Sequence, residues 1–205
     1  MDPITDPQQF WNEKYSGKTF IYGQNPNAFF KEQLDDLTPG TLLLPAEGEG
    51  RNAVYAARRG WEVEAFDIST NGRNKALALA KQYKVSIQYK ISGYREFEVV
   101  SGTYDVIGLI YAHMHEDVRR KMHRKLIGGL KPGGKLILEA FAKEQILNAS
   151  GGPKDEAMLY SREELAEDFN TLHILQLDKC DTTINEGPHH QGNATVIRLA
   201  AQKPY

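Results

Sequence analysis

The sequence predicts an α/β fold: a mostly parallel sheet with helices on both faces and an antiparallel pair at its C-terminal edge. Three features of the 205 residues predict it. Short apolar runs alternate with amphipathic stretches through the first two-thirds of the chain, the rhythm of strand–helix–strand crossovers. The first apolar run empties into a turn, Glu47-Gly48-Glu49-Gly50, that opens an amphipathic stretch. The last third breaks the rhythm into two longer strand-like runs joined by the loop INEGPHHQGN, which read as an antiparallel pair.

The elements follow in order. Apolar runs at 41–45 (TLLLP), 62–66, 86–90, 104–111 (YDVIGLIY) and 135–141 (KLILEAF) predict parallel strands, with helices over 51–59, 72–83 and 116–130 between them. Ser161 and Glu164 form a capping box for a short helix, and strands over 171–183 and 194–202 complete the sheet. Before the first strand lies an aromatic segment carrying Phe10, Trp11, Tyr15, Phe20, Tyr22, Phe29 and Phe30. Within it, Asn25-Pro26 reads as a helix start with Pro26 at the first helical position. The expected organisation is one domain over 1–205, with 1–37 as a helical, aromatic lid and 38–205 as the core.

Composition excludes several function classes. Twenty-five basic and 27 acidic residues give a net charge of −2, against a broad basic grip on nucleic acid. No apolar run approaches the ~20 residues that span a bilayer, and the N-terminus has no basic-then-apolar secretory pattern. A single cysteine, Cys180, makes neither a disulfide framework nor a cysteine-based zinc site, and the setting expected is cytoplasmic. No histidine spacing demands a metal.

The glycine turn and Asp67, at the end of the second strand, predict an adenosine-type ligand: glycines let the backbone approach it, and the acid accepts ribose hydroxyls. Gly48-x-Gly50-x-x-Ala53 is also readable as an NADP-type variant, and a dinucleotide site places its pyrophosphate on a helix N-terminus. Glu47 and Glu49 crowd this turn. Two carboxylates repel a pyrophosphate and attract a sulfonium and an α-amino group, which favours S-adenosylmethionine over a nicotinamide cofactor. The competing reading of the two acids is that they stabilise the dipole of the helix they precede.

These residues resemble a family. PAEGEGRNAVYAARRGWEVEAFDIS is similar to the first two motifs of class I S-adenosylmethionine-dependent methyltransferases, and LKPGGK at 130–135 to the turn before their fifth strand. FWNEKY, YGQNPNAFF, GGP at 151–153 and EGPHHQGNATVIRL at 186–199 match the tellurite-resistance and thiopurine-methyltransferase-like branch. The resemblance runs over nearly the whole chain. It implies a Rossmann-like, seven-stranded sheet and a cofactor site formed by Glu47, Gly48, Gly50, Arg51, Asp67, Ile68, Ser69, Ser92, Gly93, Tyr94, Tyr111 and Ala112. Leu44 stands where many members carry an acid, and Glu47 is expected to serve the methionine amine instead. Gly93 falls where many members place an acid for the adenine amino group, which leaves Ser92, backbone groups or stacking on Tyr94 to hold adenine.

Methyl transfer needs an aligned nucleophile and, for a protonated acceptor, a base. His113, after the fourth strand, and His189 and His190, in the last loop, are the candidate bases. IYAHM stands where DNA amino-methylating enzymes carry an Asn-Pro-Pro-Tyr-like motif. Little is appended to the core, so the acceptor expected is a small molecule, a thiol or a chalcogen oxyanion among them. Two other functions compete: a binder that keeps the fold without turnover, and an NAD(P)-dependent oxidoreductase. The sequence leaves the oligomeric state open.

Overall fold

Leu42, Leu43 and Leu44 are inaccessible to solvent on both sides, as a central parallel strand demands. They belong to β1 (Thr41–Pro45) of the computed structural model, which describes residues 6–205; the first five residues of the expected lid segment lie outside the described residues. The order of elements is α1 (Pro7–Lys14), α2 (Ala28–Asp35), β1, α3 (Arg51–Arg58), β2 (Glu62–Asp67), α4 (Thr70–Gln82), β3 (Gln88–Ile91), β4 (Tyr104–Ile110), α5 (Glu116–Gly129), β5 (Leu130–Phe141), α6 (Arg162–Asp168), β6 (His173–Asn185) and β7 (Gln191–Gln202). Short 3₁₀ turns at Lys143–Leu147 and Glu156–Met158 interrupt the connection from β5 to α6.

The seven strands lie in the order β3-β2-β1-β4-β5-β7-β6. The first five are parallel, and β7 inserts antiparallel between β5 and β6. Chain direction reverses its march between β1 and β4, and the crevice outside the carboxyl ends of these two strands is where such sheets bind ligands. Side chains alternate across the sheet. Leu42 and Leu44 pack with Phe30 of α2, Ala53 and Val54 of α3 and Leu79 of α4 on one face. Leu43, Ile107 and Leu136 pack with Met122 and Leu126 of α5 and Leu165 of α6 on the other. Beneath that second layer Asp168 accepts from Arg119 Nε (2.9 Å) and His123 Nδ1 (2.8 Å), tying α5 to α6 through a buried ion pair.

Boundaries shift where tertiary contacts decide them. The second helix begins at Ala28, because the Asn27 side chain accepts the Phe30 N–H (2.9 Å) and caps it, two residues beyond the expected Asn25-Pro26 start. The Lys131–Gly134 turn is absorbed into β5 as an irregularity: Tyr104 pairs with Leu130 and Val106 with Lys135. In the last hairpin pairing continues to Asn185 and Gln191, so only residues 186–190 form the loop and Glu186, His189 and His190 stand at its tip. Among the described residues no helix is long and apolar enough to cross a membrane.

Gly50 connects the β1 turn to α3 at φ 87°, and a Cβ built on it lies 2.7 Å from Ala76 Cα of α4. Gly50→Ala combines left-handed strain with this clash and should cost about 2 kcal/mol or more. Thermal unfolding checks it: a fall of several degrees is expected, and an unchanged Tm would refute the close packing of α3 on α4.

Candidate active site

Beyond Pro45 the backbone passes through left-handed conformations at Ala46 (φ 52°), Gly48 (φ 59°) and Gly50 (φ 87°) before entering α3. The N-cap of α3, Gly50, has no side chain, and Glu47 replaces it from upstream. One Glu47 oxygen accepts the Ala53 N–H (2.7 Å) and the other accepts from Asn52 Nδ2 (3.2 Å). Burial pushes Glu47 up to about 7, against the pull of these hydrogen bonds. Glu49 accepts the N–H groups of Ile21 (2.8 Å) and Tyr22 (3.3 Å) and pairs with Lys75 of α4. Each acid of the turn thus has protein partners: one caps a helix and the other fastens the N-terminal segment.

Asp67 ends β2 beside this turn. Its carboxylate accepts the N–H of Gly48 (3.0 Å) and the N–H of Ser69 (2.8 Å), and burial pushes it up to about 6. Among the described residues no cation and no side-chain donor touches it. Ser69 caps α4 through Gly72 N–H, and its hydroxyl donates to Asn12 Oδ1 (2.9 Å). The Ile68 carbonyl accepts from Gln8 (3.1 Å), and the Ser92 N–H donates to the Asp67 carbonyl (3.0 Å). A Cβ built on Gly93 would meet the Glu96 carboxylate and stand 3.9 Å from Ile68, while Tyr94 meets Phe66 edge-on. Helix α1 lies over this rim: Tyr15 Oη stands 2.6 Å from where a Gly48 Cβ would be.

The opposite rim is a buried polar network. Tyr111, left-handed at φ 53°, donates its hydroxyl to Glu139 of β5 (2.8 Å). Glu139 also accepts from Arg198 Nε (2.6 Å) and Asn27 Nδ2 (2.6 Å). Asn27 Nδ2 donates in addition to Glu186 (2.9 Å), which pairs with Arg51 (2.9 Å) and faces His190 Nδ1 at 3.5 Å. Despite burial, Arg51 and His190 hold Glu186 down at about 2. The His190 ring is boxed by Tyr22, Tyr111 and Phe141, with centroids 4.3, 4.8 and 5.4 Å away. Burial lowers its pKa, reinforced by Arg51 and Lys14 and opposed by Glu186, so it is neutral at pH 7.

The three candidate bases differ sharply. His113 Nδ1 lies 2.7 Å from the Met158 carbonyl and Nε2 accepts the Phe141 N–H (3.2 Å), so both ring nitrogens serve the backbone. His189 is exposed and gives its backbone N–H to Ile21. His190 alone combines burial, an acidic partner and an Nε2 without a protein partner among the described residues. Ala112, buried, uses its carbonyl to accept from Tyr160 (3.0 Å), and Arg51 also reaches the Tyr22 carbonyl (3.2 Å). Sequence reasoning missed Asn12, Lys14, Tyr22, Asn27, Glu139 and Glu186. Glu139 carried a signal, a lone acid inside the apolar run KLILEAF; the others sat inside matched motifs without a pattern that set them apart.

Residues 45–134 match the family model described as "Methyltransferase domain". Solved structures align along almost the whole chain. The protein of "Conversion of a Disulfide Bond into a Thioacetal Group during Echinomycin Biosynthesis" has TM-score 0.76 and 14% identity, covering 97% of this chain and 93% of its own. TehB from Haemophilus influenzae has TM-score 0.71 and 14% identity, over 96% and 66%. The chain has the Rossmann-like fold of these solved structures, and a little under half of it matches the methyltransferase-domain model. A curated protein that resembles this chain is phosphoethanolamine N-methyltransferase 3 of Arabidopsis thaliana, 27% identical over 64% of this chain and 27% of that one. An aspartyl/glutamyl-tRNA(Asn/Gln) amidotransferase polypeptide of Thioalkalivibrio sulfidiphilus (strain HL-EbGR7) is also 27% identical, over 92% and 39%. The chain spans well under half the length of either.

The crevice suits an adenosyl cofactor. Asp67 is a buried carboxylate satisfied only by backbone N–H groups, so its remaining lone pairs are free to accept two ribose hydroxyls. His113 provides a test of the site's framework. Burial lowers its pKa to about 4, so the neutral ring adds stability that is complete above about pH 6.5 and drains away as pH falls toward about 4. Glu47 and Asp67, pushed up, act with the opposite sign, so the contrast is made against a variant. In denaturant unfolding between pH 7.5 and 4.5, wild type should lose more stability than His113→Gln; equal slopes would refute a buried neutral His113.

Proposed function

We propose that this chain is a methyltransferase that moves the methyl group of S-adenosylmethionine to a small-molecule acceptor, with His190 as the base. The observation that carries the cofactor half is Asp67, an unpaired buried acid beside a left-handed glycine turn. The acceptor half rests on the box around His190. When bound, S-adenosylmethionine supplies an electrophilic methyl on a positively charged sulfur. Asp67 accepts the ribose hydroxyls, and the backbone at Gly48 and Gly50 lets the nucleoside approach. Ile68, Ser92, Gly93 and Tyr94 frame the adenine, and Tyr111 and Ala112 border the methionine end.

Glu186 orients His190 by drawing its Nδ1–H, and Nε2 takes the proton of the acceptor as its nucleophilic atom meets the methyl carbon in line. The 3.5 Å separation tightens as charge develops on the ring. Tyr22, Tyr111 and Phe141 exclude water from that side. The motifs that resemble the tellurite-resistance and thiopurine-methyltransferase-like branch support a soft nucleophile, a thiol or a chalcogen oxyanion. The single cysteine supports a reducing, cytoplasmic setting.

Two measurements test this. Calorimetric titration with S-adenosylhomocysteine should give an affinity that falls as pH drops below about 6, where Asp67 takes up a proton, and Asp67→Ala should lose at least tenfold at pH 8. Undiminished affinity in Asp67→Ala would sink the ribose assignment. In a methyl-transfer screen over thiols, selenite and tellurite, His190→Gln should lower kcat about 10²-fold or more for a protonated acceptor while leaving S-adenosylhomocysteine affinity intact. A kcat within threefold of wild type would remove His190 as the base.

A further inference from the structure

Separated from His190 by Tyr22 and Gly151 lies a cavity of about 270 Å³ bordered by Lys14, Tyr22, Ser150, Gly151, Gly152 and His189. Its volume is at the small end of ligand pockets, which run from about 300 Å³ upward. Its electrostatics are lopsided. Lys14, at the end of α1, makes no ion pair and no hydrogen bond among the described residues, yet burial has stripped much of its water and lowers its pKa. Only aromatic faces meet the ammonium: Trp11 at 4.9 Å, Phe10 at 5.4 Å and Tyr22 at 5.6 Å. Aromatic quadrupoles compensate a desolvated cation only in part. The nearby acid, Glu186, is already committed to Arg51, Asn27 and His190.

The facing wall offers donors as well. Gly151 (φ 128°) and Gly152 (φ 88°) hold conformations that favour glycine, and neither backbone N–H meets an acceptor among the described residues. Gly151 also brings the wall against the base: a Cβ built there stands 3.1 Å from His190 Nε2. An ammonium without an ion pair, two amide N–H groups without partners and, behind Gly151 and Tyr22, the His190 ring make a pocket for an oxyanion whose attached nucleophile is directed at His190.

We propose that the methyl acceptor is a small acid, carrying a carboxylate or phosphate that Lys14 and the Gly151–Gly152 amides hold while His190 takes the proton from its nucleophilic atom. This rests on the methyltransferase reading above and names the acceptor's class. In the transfer, the acceptor's heteroatom forms its bond to the methyl carbon as the carbon–sulfur bond breaks, the bonding pair leaves on sulfur and the proton passes to His190 Nε2. The oxyanion is untouched and serves only to position.

Trp11, 4.9 Å from the Lys14 ammonium, reports occupancy by fluorescence. Wild type, with and without S-adenosylhomocysteine, is titrated with 3-mercaptopropionate, 3-mercaptopropan-1-ol and inorganic phosphate. The acid should bind at least tenfold tighter than the alcohol, phosphate should compete with it, and kcat/KM for methyl transfer should follow the same order. Lys14→Gln should erase the preference, Lys14→Arg should keep part of it, and both should bind S-adenosylhomocysteine within twofold of wild type. No response to either anion, or a preference that survives Lys14→Gln, overturns the proposal. So does a tenfold loss of S-adenosylhomocysteine affinity in Lys14→Gln, which would assign Lys14 to the cofactor's own carboxylate. Failure of the underlying reading is seen separately, as absence of S-adenosylhomocysteine binding to wild type.

Discussion

One carboxamide joins the parts of this molecule that chemistry requires to meet. Asn27 Nδ2 donates to Glu139 in the centre of the sheet and to Glu186 in the last hairpin loop, its Oδ1 caps α2, and its backbone N–H donates to Asn52 of α3 (2.9 Å). Two carboxylates brought this close below the surface repel each other unless donors stand between and around them. The donors are Asn27, Tyr111, Arg51 and Arg198, two of them cationic, so the charges of the network balance. The N-terminal segment, the β4 terminus and the β6–β7 hairpin are held to one another by this group of side chains.

Two of the three left-handed non-glycine residues among the described residues stand at the switch point, and the third, Lys84, follows α4. Ala46 and Tyr111 are left-handed non-glycine residues at the carboxyl ends of β1 and β4, the two strands that flank the switch point. Such conformations cost of order 1–3 kcal/mol each and persist only when the surroundings over-determine them. For Tyr111 the surroundings are explicit: its N–H donates to the Glu139 carbonyl, its hydroxyl to the Glu139 carboxylate, and its ring stacks on Phe141. The outcome is an aromatic face turned toward His190. The N-terminal segment is held both by hydrogen bonds involving Asn12, Glu49 and Lys75 and by the burial of Phe29, Phe30 and Leu34 in the core.

Much of the fold was legible because burial leaves a pattern in the chain. TLLLP, YDVIGLIY and KLILEAF are continuous apolar runs since both faces of a central parallel strand are covered, and Ser161-x-x-Glu164 forms the capping box its spacing implies. Charge in the glycine turn was harder to read. Glu47 and Glu49 look alike in sequence, each followed by a glycine, but Glu47 faces the open end of α3 and Glu49 faces the backbone of Ile21 and Tyr22. What a carboxylate does to a ligand depends on the donors it has already accepted, and those came from residues far along the chain or from the next helix. The histidines teach the same lesson: His113 and His190 both sit at crevice positions, and only the partners of each ring nitrogen separate a structural imidazole from one with a nitrogen to spare.

By itself the sequence determined the alternation of strands and helices, the glycine turn, the acid at the end of the second strand and the antiparallel final pair. These are local in origin, arising from side-chain periodicity and from backbone conformations that particular residues permit. Tertiary structure alone decided which acids pair with which cations, which histidine is boxed by aromatics, and that Lys14 is left without a counter-charge beside a small cavity. Those outcomes depend on distances between residues more than a hundred positions apart, such as Asn27 and Glu139, and a pattern of near neighbours carries no record of them.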